Sequence, residues 1–254
     1  MSDPKTEMSQ GIIKLVFMPG LDGTGISFEP LSRFLSIDIA ATVVRYPADR
    51  LLSFEEIVLC AYDQIKGDQD IVVAESFSGP VAISLIGSGR LKAKGLILCA
   101  TFAKAPRRTM LKMLRWLPFE LGLRLPFQSV LLRYILGDRR ATDTLFPIWQ
   151  RVKAMVPARV LAHRIRRLSL LDVRRWLPEL TIPCWYIQAT KDKLLSASSV
   201  LDFVQAIPHL VVRKLAGPHF ILQTEPEASA AIINEFIDVV TKRSVGEPQM
   251  QASR

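Results

Sequence analysis

Six short apolar runs punctuate the chain: IIKLVFM (12–18), IAATVVRY (39–46), DIVVAE (70–75), KGLILCA (94–100), PCWYIQAT (183–190) and HLVVRKL (209–215). Several are apolar at successive positions rather than alternate ones, the pattern of strands in a parallel sheet covered by helices on both faces. Amphipathic stretches with helix start signals separate them. Ser53 stands before FEEIVLCAYDQI with Glu56 three residues on, a capping-box spacing. Thr224 precedes EPEASAAIINEFIDVV, with Pro226 near the first turn. The alternation predicts a mostly parallel, doubly wound α/β sheet of about six strands. It stops between about 102 and 180, where amphipathic helices broken by Pro118, Pro126, Pro147 and Pro157 replace it, and resumes at Pro183. The chain therefore divides into a core of residues 11–101 and 181–241, a helical insertion over 102–180, and a polar tail over 242–254 that is expected to be disordered.

Composition narrows the class. The 254 residues can bury a sizeable core, and the 49% hydrophobic share is that of a soluble globular protein. No apolar run approaches the roughly 18 residues that span a bilayer. The N-terminal MSDPKTEMSQ has no leader pattern, which points to the cytoplasm. Cys60, Cys99 and Cys184 all lie in apolar patterns with no C-x-x-C pair, as reduced core residues do. The three histidines form no metal-binding pattern, so no metal site is expected. The net charge of +9 is uneven: residues 104–175 hold 17 Lys+Arg against 4 Asp+Glu, while the rest of the chain is net acidic.

Candidate chemistry begins where the third run breaks off, in DIVVAESFSG. Ser76 sits at the carboxyl end of a strand, immediately before a helix, with the small residues Ala74 and Ser78 two positions to either side. A sharp strand-to-helix turn exposes the turning side chain, strains its backbone and crowds the residues two away. Gly79 then permits close helix–sheet packing, and Pro80 falls in the first helical turn. This is the layout of a nucleophile elbow, although G-x-S-x-G reads A-E-S-F-S here, and a simple helix-capping serine shares the pattern. Ser78 is the weaker nucleophile, since it lies inside the helix.

A serine nucleophile needs a base, and the base needs an orienting acid. His219, on the Gly-Pro loop after the last strand, lies at a carboxyl end; His209 opens that strand at the opposite edge, and His163 lies among arginines of the insertion. Asp192 follows the fifth strand and is preferred to Asp172, which precedes it. The loop FMPGLDGTG after the first strand can aim backbone N–H groups at an oxyanion. The Phe77 amide would supply one donor and the Leu21 amide the other. A phosphate-binding loop is the alternative, but no dinucleotide or P-loop spacing is present and Asp22 would repel a phosphate.

With PGLDGTG, ESFSG, TKD and GPHF in this order, the chain resembles the α/β-hydrolase fold serine hydrolases over residues 11–241. The resemblance implies Ser76 as nucleophile, His219 as general base, Asp192 as its orienting acid, and an acyl-enzyme formed without a cofactor. It implies that the insertion is the cap these enzymes carry, placed before the strand that leads to the catalytic aspartate. LLDVRRWLPELTIPCWYIQATKD is similar to the cap-to-strand return of small carboxylesterases and methyl-ester esterases. Pro19-Gly20 replaces the usual His-Gly of the oxyanion loop, and only about ten residues precede the first strand, so the two leading antiparallel strands of the fold are not expected.

The expected activity is hydrolysis of carboxylic esters with small to medium acyl groups, the cap's apolar stripes roofing the acyl pocket. Two alternatives remain: a thioesterase or methyl-ester esterase acting on acyl groups of a carrier protein, and a non-catalytic binder. The cap arginines are read as solvated surface, as a dock for an acidic carrier protein, or as a peripheral membrane contact, and no nucleic-acid readout motif accompanies them. Arg164, Arg166 and Arg167 are the positions at which charge reversal would test the dock.

Overall fold

The computed structural model describes residues 12–36, 39–65, 67–105, 133–134, 137 and 139–246. Each apolar run forms a strand: β1 (Ile13–Met18), β2 (Ile39–Val43), β3 (Gln69–Glu75), β4 (Ala93–Cys99), β5 (Cys184–Ala189) and β6 (Val211–Leu215). They make one sheet in the order β2-β1-β3-β4-β5-β6, with every neighbouring pair parallel. The helices are α1 (Glu29–Ser32), α2 (Phe54–Gln64), α3 (Ser78–Gly87), α4 (Arg139–Met155), α5 (Ala158–Leu168), α6 (Leu201–Ala206), α7 (Ile221–Thr224) and α8 (Pro226–Gly246).

The successive apolar residues are explained by two cores. Val16, Met18, Val72, Ala74, Leu96, Leu98 and Tyr186 face one, where α2, α3 and α6 contribute Ile57, Val81, Leu85 and Phe203. Their neighbours Leu15, Phe17, Ile71, Val73, Ile97 and Ile187 face the other, against Ile221, Ile233, Phe236 and Ile237 of α7 and α8. Adjacent strand residues point to opposite faces, so a strand buried on both must be apolar throughout. The α2 start matches its sequence signal: Ser53 Oγ accepts from the Glu56 amide at 3.2 Å while Glu56 Oε2 accepts from the Ser53 amide at 2.7 Å.

Two expectations need correction. Pro147 does not break a helix but lies inside α4. Its position is exposed, so the carbonyl left without a helical donor can be hydrated. Cys60 is only half-buried on α2, whereas Cys99 and Cys184 are buried, and all three thiols are free. Pro157 does separate two helices, as the residue before α5. Pro118, Pro126 and most of the predicted cap fall outside the described residues. Within the predicted insertion, α4 and α5 join through Val152, Val156, Val160 and Leu161, with Ile26 and Ala48 packed against them. Among the described residues no helix is long and apolar enough to cross a membrane.

The strand order fixes where a ligand can enter. From β1 the chain steps outward to β2 and then crosses back to β3, on the other side of β1. The connections leave in opposite directions at this switch point and open a crevice beyond the carboxyl ends of β1 and β3. The Pro19–Gly25 loop and Ser76 follow those two ends.

Candidate active site

Ser76 has φ 49°, in the left-handed region that a side chain rarely adopts. Such a conformation costs on the order of 1–3 kcal/mol and persists only where the surroundings fix it. Here they do. The Ser76 amide donates to the Cys99 carbonyl at 2.9 Å, and the Ser76 carbonyl accepts from the Gly79 amide at 3.1 Å and from Thr101 Oγ1 at 2.5 Å. Gly79 is required because a methyl group there would stand 2.7 Å from Thr101 Cβ. Ala74 and Ser78 are both fully buried, as the crowding at the turn demands.

The loop ends of β3, β5 and β6 bring together three side chains remote in sequence. His219 Nε2 lies 2.8 Å from Ser76 Oγ, and His219 Nδ1 lies 2.7 Å from Asp192 Oδ2. The Asp192 carboxylate can only accept, so Nδ1 carries the proton and Nε2 is left to accept from the serine hydroxyl. The other oxygen, Asp192 Oδ1, accepts from the Leu194 and Leu195 amides, each at 2.8 Å. Both partners are nearly buried, His219 at 6% and Asp192 at 8% side-chain exposure, which holds the imidazole in a dry, fixed orientation.

The rival residues are engaged elsewhere. His163 Nε2 donates to the Leu52 carbonyl at 3.0 Å, and the exposed His209 donates to the Ile182 carbonyl at 2.7 Å. Asp172 accepts two bonds from the Arg174 guanidinium, which hold its carboxyl below the usual carboxylate range. The Ser78 hydroxyl is engaged as well: it donates to the Pro19 carbonyl and accepts from Tyr46 Oη at 2.5 Å.

The Gly20–Gly23 segment closes a turn, with the Gly23 amide donating to the Gly20 carbonyl at 3.1 Å. A trans peptide sets its N–H opposite its C=O, so the Leu21 N–H points out of this turn. Phe77 begins the turn into α3, its ring edge-on to Tyr46 at 6.0 Å. Among the described residues neither the Leu21 nor the Phe77 amide donates to a protein group.

Two buried polar residues are not evident from the sequence. Glu75, directly before Ser76, is 3% exposed. One of its carboxylate oxygens accepts from Gln223 Nε2 at 3.2 Å, while Oε1 has no partner among the described residues. Burial pushes its carboxyl from 4.5 up to about 7, against the lowering effect of the Gln223 bond and the nearby His219. Arg164, placed on the outer cap surface from its composition, is 3% exposed and held by backbone carbonyls instead. Burial lowers its pKa from the usual guanidinium value. Arg166 is half-buried and Arg167 exposed, so of the three only Arg167 fits an open docking face. Helical spacing is the available signal: Arg164 stands four residues from Val160, three from Leu161 and four from Leu168, in the middle of the apolar stripe of ARVLAHRIRRL.

No protein-family model matches the chain. Over 187 residues it is 23% identical to the chloroplastic phytyl ester synthase 1 of Arabidopsis thaliana, covering 61% of this chain and about a quarter (26%) of that protein. Among solved structures, it superposes on the enol-lactonase of Burkholderia xenovorans with a TM-score of 0.74 at 14% identity, covering 91% and 94% of the two chains. A thermophilic esterase of Thermogutta terrifontis gives 0.73 at 18% identity, covering 91% of each chain. A bromoperoxidase of Bacillus anthracis gives 0.69 at 17% identity, covering 91% and 92%. These relatives carry different chemistries on one scaffold, so the likeness speaks to architecture. The six parallel strands, the elbow after β3 and these superpositions agree: the chain has the α/β-hydrolase fold.

Proposed function

We propose that the protein is a cofactor-free, cytoplasmic carboxylic-ester hydrolase that works through an acyl-enzyme on Ser76. The observation that carries this reading is the unbroken Ser76–His219–Asp192 hydrogen-bonded chain. Ser76 Oγ attacks the ester carbonyl as His219 Nε2 takes its proton, and Asp192 stabilises the imidazolium. The Phe77 and Leu21 amides hold the oxyanion. Collapse expels the alcohol, which receives the proton from His219. Water, deprotonated by His219, then attacks the acyl-enzyme and releases the carboxylic acid. An alcohol entering instead of water would yield a new ester, the direction suggested by the likeness to an ester synthase. Small to medium acyl esters are the favoured substrates.

A panel of esters of graded acyl length, with water and long-chain alcohols as acceptors, tests the reading on wild type and Ser76→Ala in parallel. The variant should lose at least about 10³-fold in kcat, as when a triad member is removed. A fluorophosphonate probe should label wild type at Ser76. Absence of label and turnover would favour a binder on the same fold. A second reading, hydrolysis of a thioester or methyl ester on an acidic carrier protein, is favoured by the excess of 17 Lys+Arg over 4 Asp+Glu in residues 104–175.

A further inference from the structure

The Pro19–Gly25 loop is held from outside the core by one buried cation. Arg164, on cap helix α5, donates from Nη1 to the Leu21 carbonyl at 2.9 Å and to the Asp22 carbonyl at 2.7 Å. Its Nη2 donates to the Pro47 carbonyl at 2.9 Å, and its guanidinium lies 5.7 Å from the Tyr46 ring centroid. Among the described residues it forms no ion pair; the charged group that acts on it electrostatically is the Asp22 carboxylate. Burying a guanidinium without a bound carboxylate is costly, so a site that does so is shaped around its donors. The loop is shaped to match. Gly23 has φ 71°, and a methyl group on it would stand 2.7 Å from both Arg164 Nη1 and Tyr46 Cβ.

The carbonyls of Pro19 to Asp22 are all taken. Pro19 accepts from Ser78, Gly20 from the Gly23 amide, and Leu21 and Asp22 from Arg164. The Leu21–Asp22 peptide is the middle plane of the turn. That plane carries the Asp22 N–H, while the Leu21 N–H lies in the Gly20–Leu21 plane whose carbonyl the closing bond holds, so the closing bond orients the Leu21 amide but does not tie the turn to the rest of the site. Arg164 does tie it, with Nη1 bridging the two successive carbonyls and Nη2 on the Pro47 carbonyl, and an ammonium cannot reproduce that planar arrangement.

We infer that Arg164 is a positioning residue for the oxyanion site: from the cap, it locks the turn that presents the Leu21 amide, so the cap helix sets transition-state stabilisation as well as enclosing substrate. This rests on the ester-hydrolase reading above. It predicts an effect on the developing oxyanion rather than on ground-state binding. Removing an oxyanion donor costs about 10²–10³ in kcat, and a displaced donor should cost part of that, about 10- to 100-fold.

The test compares wild type, Arg164→Lys and Arg164→Met with one ester substrate and with phenylboronic acid, whose tetrahedral serine adduct mimics the oxyanion. Folded fraction is measured by circular dichroism. The expected result is a kcat lowered about 10- to 100-fold with KM nearly unchanged, and boronate affinity lowered in step with kcat/KM. Arg164→Lys keeps the charge and the stem, and is decisive if Arg164→Met does not fold. Unchanged kcat per folded molecule in Arg164→Lys, or a loss of activity that only follows the loss of folded protein, overturns the inference while leaving the hydrolase reading intact. A wild type that neither turns over esters nor binds the boronate overturns both.

Discussion

Glu75→Gln is the substitution whose consequence follows most directly from the site. The carboxyl is buried directly before Ser76, with one oxygen bonded to Gln223 and the other unpartnered among the described residues. Its pKa rises from 4.5 in the open chain to about 7 in the fold. Between those values the folded chain binds more protons than the unfolded one, so stability falls as pH rises through this window and is level on either side. A tenfold change in proton affinity is worth about 1.4 kcal/mol, so the loss between pH 5 and pH 8 is about 2–3 kcal/mol. Glutamine keeps the shape, accepts the Gln223 bond and does not titrate. Urea unfolding of both proteins across pH 5 to 8 should therefore show the variant gaining about 2–3 kcal/mol on wild type, most of it before pH 7. Parallel stability curves would refute the reasoning, because they would mean that the Glu75 carboxylate is as well solvated in the fold as outside it.

Two further outcomes follow from packing and charge. Gly79→Ala drives a methyl group into Thr101, which holds the Ser76 carbonyl, and should cost about 2 kcal/mol in urea unfolding together with a lower kcat. If an acidic carrier protein docks on the cap, charge reversal at the exposed Arg159 and Arg167 should raise KM for a carrier-linked substrate, and added salt should do the same. A salt-independent KM equal to that for the free ester would exclude the dock.

The central strands β1, β3, β4 and β5 are legible in the sequence because burial on both faces leaves little choice of residue, while β2 and β6, exposed at the edges, are legible from their β-branched runs. All six strands lie within three residues of the apolar runs, and the shorter ends, such as that of β2 at Val43, fall where ladder pairing stops. The elbow is legible for a related reason, since a crowded turn restricts residue size at Ala74, Ser78 and Gly79. At Ser78 the sequence conveys only small size, however, because its hydroxyl bridge from Tyr46 to Pro19 depends on a partner 32 residues away. Arg164 is misplaced by charge and composition, which describe a solvated face, while burial is decided by which side of α5 meets the loop. Pro147 misleads because its effect on a helix depends on whether water reaches the abandoned carbonyl.

On the proposed mechanism the reacting groups hang from β3, β5 and β6, and the serine and histidine are 143 positions apart. Only the completed ladder brings them to one edge. A chain that ends before β6, through cleavage or interrupted synthesis, lacks His219 and so has no base beside Ser76 to take its proton. On that mechanism turnover is a readout of complete assembly, and a partly built molecule is safeguarded against premature acylation by the order of the strands.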